Sequence, residues 1–342
     1  MKININFPGE KLLIRLWDTL AEKHIGTLLR PGQIRREGLA KLDVRRAEIL
    51  TIAQTEIDAQ EIRNGNITLE DLGINVKTAP KKLRSSEIAR IEPNLEEQSL
   101  IQTIEKNRIR DAVRKEINIA NAIAIAEEIL KEDTQEPPTD AIEDDWLYRW
   151  RDYAANFSSE KLQEIWGKAL AGELKTPGSY SIRCLEFLKN LSQEEANIIE
   201  KLSAFTFENS IWRGKLELLE EKGLSFDILL DMQELGIISG VNSTGLHLKW
   251  PSPINPNFYV TLVSNGKVLI VKHEDPSKLP YIKTFKITSI GQQVFSLGKF
   301  EPNIEYLEAL GKTLKDQGFN VTIADVKEIS KDNLIYGNEH DL

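Results

Sequence analysis

The residues best equipped for chemistry are six cations near the N-terminus: Arg30, Arg35, Arg36, Lys41, Arg45 and Arg46. Over that span they are opposed only by Glu37 and Asp43. On a helix, residues one turn apart project together, so such a run can present guanidinium and ammonium groups to phosphates. One reading is a phosphate-binding surface for nucleic acid, anionic lipid or nucleotide. The other is a solvated helix face that pairs with acidic segments elsewhere in the chain. A second basic run, Lys77, Lys81, Lys82, Arg84 and Arg90, lies in the proline-containing segment that follows.

Residues for catalysis are sparse. The sequence contains no phosphate-binding Gly-rich motif, no H-E-x-x-H and no G-x-S-x-G. His24, His247, His273 and His340 are scattered without metal-ligand spacing. The single cysteine, Cys184, sits in an amphipathic stretch and reads as a buried, inert thiol rather than a nucleophile. Asp325-x-Lys327 after an apolar strand is a setting used by metal-dependent nucleases, but no acidic partner on an upstream strand accompanies it. The expectation is a protein without catalytic activity, metal or cofactor.

The formal charge of −9 over 342 residues disfavours non-specific nucleic-acid binding by the molecule as a whole and leaves a local basic patch open. With one cysteine no intrachain disulfide forms, and no signal peptide or membrane-length apolar run is evident, so the expected compartment is the cytoplasm.

The elements that must position these groups are mainly helical. Lys2–Phe7 alternates like a short edge strand. Glu10–Leu29 reads as an amphipathic helix with Leu13, Leu16, Trp17, Leu20 and Leu28 on one side. It suits packing on its own protein or a second subunit, with a membrane surface as the alternative. Gln33–Arg63 reads as a helix carrying the first basic run. From Asn94 a long helix reaches about Lys131, with apolar positions that suggest burial along most of its length. An acidic linker, Asp133–Asp145, leads into the most strongly patterned part of the chain.

In that part Trp146, Tyr148, Trp150 and Tyr153 crowd a short helix. Ser158 stands as an N-cap, and Leu162, Ile165, Trp166, Ala169, Leu170 and Leu174 follow at helical spacing, with Gln163, Glu164, Lys168 and Glu173 on the opposite side. Gly172 suggests a close approach, and Thr176-Pro177-Gly178 a sharp stop. Leu185 and Leu188 belong to the next helix, and Ser192-x-x-Glu195 is a capping box for a third. Trp146, Trp150, Tyr153, Leu162, Trp166, Leu170, Leu185 and Leu188 are the expected structural core rather than a ligand box.

Several stretches here resemble a bacterial family, domain of unknown function 2806: DW at 145–146, RWRDYA at 149–154, IWGKALAGELKTPGSYS at 165–181 and LEFLKNLSQEEA at 185–196. LLRPGQIRREG at 28–38 and AQ at 53–54 resemble the same family, so the likeness extends over most of the chain. No chemistry comes with it. IWGKALAGE also resembles a helix of the abortive-infection alpha family, which implies a direction towards phage defence and no mechanism.

Beyond Phe205 the pattern changes. A helix capped by Ser225 and ended by Gly236 precedes strands at 245–250, 258–263 and 267–273, with Asn265-Gly266 as a hairpin turn. A strand at 284–288, helices at 290–297 and 304–317 and a strand at 319–326 follow, then a polar tail from Lys331 expected to be mobile. Helix followed by β-ribbon suggests a winged-helix-like module, and KITSIGQQVF resembles the segment after the wing in such domains. Its candidate recognition helix carries Asp227, Asp231 and Glu234 and no cation, so protein contact or sensing is favoured over DNA.

The expected protein is therefore mainly α with a C-terminal α+β module. It comprises N-terminal helices at 1–92, a helical core at 93–205 and a winged-helix-like module at 206–342. The expected function is a non-enzymatic, oligomeric interaction or sensor protein in a bacterial phage-defence setting, with a protein partner or phage-derived trigger. The alternatives are nucleic-acid binding through Arg30–Arg46 and membrane perturbation through the 10–29 helix.

Overall fold

A computed structural model describes residues 8–25, 97–244, 246–248, 250, 252, 256–329 and 334–342. The strand expected at 2–7, the helix expected at 33–63 and both N-terminal basic runs lie outside the described residues. Contacts divide the chain into two compact units, Met1–Pro177 and Gly178–Leu342. The division falls inside the Thr176-Pro177-Gly178 stop.

In unit 1 the described helices are α1 (Glu10–Glu22), α2 (Glu97–Lys131), α3 (Asp144–Ala154) and α4 (Glu160–Lys175). The leucines of α1, Leu12, Leu13, Leu16 and Leu20, are buried. They pack on α2 and α4. Gly9 lets α1 begin there: its N–H donates to the Lys131 carbonyl at 3.0 Å, and the end of α2 lies where a Cβ would stand. The pair of α2 and α4 forms the most extensive helix–helix contact. A close approach falls at Gly167: a Cβ there would lie 2.6 Å from Ile125 Cγ2 and 2.9 Å from the Ala122 carbonyl oxygen.

Two sequence expectations for α4 are corrected. Its N-cap is Ser159, one residue after the expected Ser158. Gln163 and Glu173, expected on the polar side, are 6% and 3% exposed. The helix is covered on more than one face, and a polar seam makes that burial tolerable. Asn118 donates to the Ala155 carbonyl at 2.8 Å, Gln163 Nε2 reaches Asn118 Oδ1 at 3.3 Å and the Phe157 carbonyl at 3.1 Å, and Asn121 donates to Gln163 Oε1 at 3.3 Å. Trp146, Trp150, Trp166 and Leu170 are buried, while Tyr153 and Leu162 are half-buried. Phe157 stacks on Trp166 at 5.7 Å, Tyr153 meets it edge-on at 6.1 Å, and the Trp150 indole donates to the Trp166 carbonyl at 2.9 Å.

The expectation that α2 is buried along most of its length is also corrected. Ile117, Ile119, Ala120, Ala122, Ile123, Ala126 and Leu130 are buried, but every described side chain from 107 to 115 is exposed. Ile104, Ile109 and Val113 are 55%, 58% and 39% exposed. The apolar spacing continues beyond the region where α1, α3 and α4 cover it.

Unit 2 opens with α5 (Ile182–Asn190) and α6 (Gln193–Ser203), the latter starting on the full Ser192–Glu195 capping box. Leu185 and Leu188 are buried. Strands β1 (Thr206–Phe207) and β2 (Ser210–Trp212), helices α7 (Leu216–Glu221) and α8 (Phe226–Glu234), and strands β3 (Ile238–Ser239) and β4 (Leu246–Leu248) follow. A hairpin of β5 (Phe258–Ser264) and β6 (Lys267–His273) turns at Asn265-Gly266, both at positive φ, as the sequence required. Then come β7 (Ile282–Ile287), α9 (Ser289–Ser296), α10 (Ile304–Asp316), β8 (Asn320–Ile329) and β9 (Leu334–Asp341).

Two small antiparallel sheets result. In the first, β7 is central, flanked by β2 on one side and by β3 and β4 on the other, with β1 beyond β2. The second has the order β5-β6-β8-β9. Tyr306 of α10 anchors a buried aromatic group: its hydroxyl accepts from the Trp212 amide, and its ring meets Phe205 at 5.2 Å and Trp212 at 5.7 Å. The C-terminal segment read as a mobile tail forms β9 instead. Its polar composition hides a strand whose Tyr336 hydroxyl meets that of Tyr259 at 2.8 Å and whose Asn338 and Glu339 bond to Asp325 and Thr322.

Candidate interaction surfaces

Two exposed charged rows stand out, one in each unit. On α8, Leu229 and Met232 face the core, which leaves Asp227, Asp231 and Glu234 exposed at i, i+4 and i+7, a single stripe. On α7, Glu217, Glu220 and Glu221 are exposed as well. Across residues 216–235 six carboxylates meet one cation, Lys222. Neither helix has a basic residue in its last turn. Glu220, Glu221 and Glu234 therefore stand at the negative end of a helix dipole, where a carboxylate costs about 0.3–1 kcal/mol rather than stabilising. Folding alone does not call for that placement.

The second row lies on the exposed stretch of α2. Arg108, Arg110, Arg114 and Lys115 face solvent against Asp111. Arg114 pairs with Asp111 at 3.6 Å, and Arg110 bonds to Asn107 at 3.0 Å. Arg108 and Lys115 make no ion pair among the described residues.

Sequence reading found the acidic row and missed the basic one. The signal was present as four cations within eight residues, but the neighbouring isoleucines read as a buried stripe. The six cations Arg30, Arg35, Arg36, Lys41, Arg45 and Arg46 lie outside the described residues.

The chemistry-bearing residues named from sequence show no assembled site. Burial pushes the Cys184 thiol up to about 12, which leaves it protonated near neutral pH. Asp325 accepts from Lys267 at 2.5 Å and from Asn338 at 2.8 Å, and these bonds hold its carboxyl below the usual range. Among the described residues no group of three or more His, Cys, Asp or Glu stands where it could hold a metal ion, and no helix is long and apolar enough to cross a membrane. Unit 2 also has an open groove of about 760 Å³, rimmed by Lys201, Lys222 and Lys299 together with Glu200 and Glu301. Its mixed charge favours no particular ligand.

Residues 103–216 match a known family, described as protein of unknown function (DUF2806). Over this stretch the chain is similar to that family. The stretch begins at the exposed arm of α2 and runs through α3 to α6, β1 and β2 to the start of α7, so it includes the tryptophan-rich core and leaves out α8. The resembling run at 28–38 lies outside the matched residues. No curated protein and no solved structure matches the chain.

Proposed function

We propose that the protein is a non-enzymatic, oligomeric interaction protein whose second unit is a winged-helix-like module that contacts protein rather than DNA. The module reading is supported by element order: α6, the short strands β1 and β2, α7, α8 and β3 follow one another, and β7 returns to their sheet after β4 and the β5–β6 hairpin. Both β2 and β3 lie antiparallel to β7. The observation that carries the functional reading is the Asp227–Asp231–Glu234 row on α8, the helix that would enter a DNA groove in such a module. Three exposed carboxylates there repel phosphates and suit a cationic protein surface. A place in a phage-defence system is supported by the likeness of residues 165–173 to the abortive-infection helix.

Fluorescence anisotropy with a labelled DNA duplex at low salt tests the reading. The expected result is that Asp231→Lys with Glu234→Lys raises affinity for DNA. If the unaltered protein bound duplex tightly and this variant left binding unchanged or weaker, α8 would be a DNA-reading helix and the proposal would fail.

The polyanion alternative, argued from Arg30, Arg35, Arg36, Lys41, Arg45 and Arg46 in the sequence, gains Arg108, Arg110, Arg114 and Lys115 as exposed cations. Unchanged affinity for a duplex in an Arg35/Arg36/Arg45/Arg46 quadruple alanine variant would remove the N-terminal run from it. Membrane perturbation by the first helix would require α1 to withdraw Leu12, Leu16 and Leu20, each 0% exposed, from unit 1.

A further inference from the structure

The arm of α2 has a property that its own unit does not explain. The turns from Ile117 to Leu130 of this 35-residue helix pack on neighbours, but residues 107–115 extend past them with all side chains exposed. A helical segment as short as 107–115 is marginal without tertiary cover, and Ile109 and Val113 add uncovered apolar surface. Two such arms do not suit each other: four cations against one carboxylate on each would repel in a symmetric pairing. The arm fits an anionic partner with a regular spacing of charge.

We propose that the arm of one copy docks along α8 of a second copy. Arg108 and Lys115 share one stripe seven residues apart, a rise of about 10.5 Å. Asp227 and Glu234 are also seven residues apart on one stripe, with Asp231 between them. Laid antiparallel, Arg108 meets Glu234 and Lys115 meets Asp227; Asp111, between them on the arm and paired with Arg114, then stands opposite Asp231, so the match rests on the two outer pairs. The 46%-exposed Phe226 flanks the carboxylate stripe of α8. The contact gives Glu234, at the C-terminal end of α8, the cation that its own helix lacks. Arm and face differ, so the contact is made twice in a reciprocal two-fold dimer or repeats in a ring or open chain of copies. This inference rests on the protein-contact reading of α8 and names its partner.

Sedimentation velocity of the full chain over a range of concentrations, at low and high salt, tests it with two charge-reversed variants, R108E/K115E and D227K/E234K. The unaltered protein should associate at low salt and dissociate as salt rises. Each variant alone should associate about tenfold more weakly or worse, because like charges now face each other. Mixed in equal amounts, the two should associate again: the acidic arm of one meets the basic α8 of the other, and the remaining native arm and face also match. Circular dichroism melts establish that both variants fold, and R108A/K115A supplies a milder disruption should reversal unfold the arm. A monomer at every concentration and salt, or association that neither variant changes, overturns the proposal. So does a mixture of folded variants that fails to associate. Adding the labelled duplex to the same samples separates the two failures. If R108E/K115E loses DNA binding with self-association intact, the arm is a polyanion site; if α8 itself binds DNA, the underlying reading fails as well.

Discussion

Gly167→Ala probes the most extensive helix contact of unit 1. A methyl group at this position meets atoms with little freedom to move: Ile125 Cβ at 2.7 Å, fixed to its own backbone, and the Ala122 carbonyl oxygen at 2.9 Å, part of the α2 ladder. Rotamer changes cannot relieve either contact, so α2 and α4 must separate by several tenths of an ångström. Forcing an extra carbon into a packed interior costs about 1–3 kcal/mol. Replacing a mid-helix glycine by alanine returns roughly 1 kcal/mol of helix propensity. Because the obstructing atoms are rigid, the upper part of the cost applies, and the net effect should be a loss of about 1–2 kcal/mol. For a unit of this size that lowers Tm by roughly 2–8 °C. Intrinsic tryptophan fluorescence is a suitable probe, since Trp150 and Trp166 are buried beside the contact. Ile125→Ala in the Gly167→Ala background should recover part of the loss, giving a non-additive double-mutant cycle. Gly167→Ala melting at or above the unaltered protein would refute the reasoning, because propensity would then outweigh packing and the two helices would not be in close contact.

Three further outcomes are expected. Trp166→Ala should destabilise unit 1 by about 3–5 kcal/mol, since it removes a core aromatic together with its contacts to Tyr153 and Phe157; a melt within a degree or two of the unaltered protein would show that the residue is not core. Ser192→Ala removes one half of the capping box of α6 and should cost about 1 kcal/mol, measured by denaturant titration; no change would mean that the cap is not formed in solution. The side-chain bonds from Lys267 and Asn338 to Asp325, and from Thr322 to Glu339, hold both carboxyls below their ordinary values of 3.8 and 4.5. Lowered values make the charged forms stabilising above the ordinary range, with the contribution lost as pH falls through the folded values. Hydrogen-exchange protection of β8 and β9 should therefore drop between pH 6 and pH 2.5 more than that of β2 and β7, and equal loss in both sheets would count against it.

The sequence made local turns and caps legible because short-range chemistry specifies them. Ser192 and Glu195, Ser225, and Asn265-Gly266 each form the expected structure from residues within a few positions of one another. Features that depend on a distant partner were harder to read. Gln163 and Glu173 look like a polar face until Asn118 and the rest of the packing appear on the other side, and the close approach at Gly167 depends on the position of Ile125 on another helix. The strand β9 needed β8, and the exposed arm of α2 needed knowledge of where α1, α3 and α4 end. The acidic row was visible from spacing alone. Its basic counterpart was not, because Ile104, Ile109 and Val113 carry the pattern of a buried helix and only tertiary structure shows them uncovered.

Glu234 separates the two readings of α8 most sharply. It is exposed near the C-terminal end of a helix with no basic residue in its last turn. The dipole makes a carboxylate unfavourable there, so Glu234→Lys should stabilise unit 2 by about 0.3–1 kcal/mol at low salt. A solvated face with no partner requires nothing more: the variant would melt higher and self-associate as before. A docking face requires a second effect of opposite consequence, because the new lysine stands against Arg108 of the neighbouring copy and association should fall by about tenfold. Thermal melts and sedimentation on the same sample measure both quantities. Higher stability with weaker association would mean that the fold tolerates an unfavourable charge for the sake of the contact. Higher stability with unchanged association would leave the carboxylate row as ordinary surface. Lower stability would show that Glu234 has a favourable partner within the unit, and the dipole argument for the face would be withdrawn.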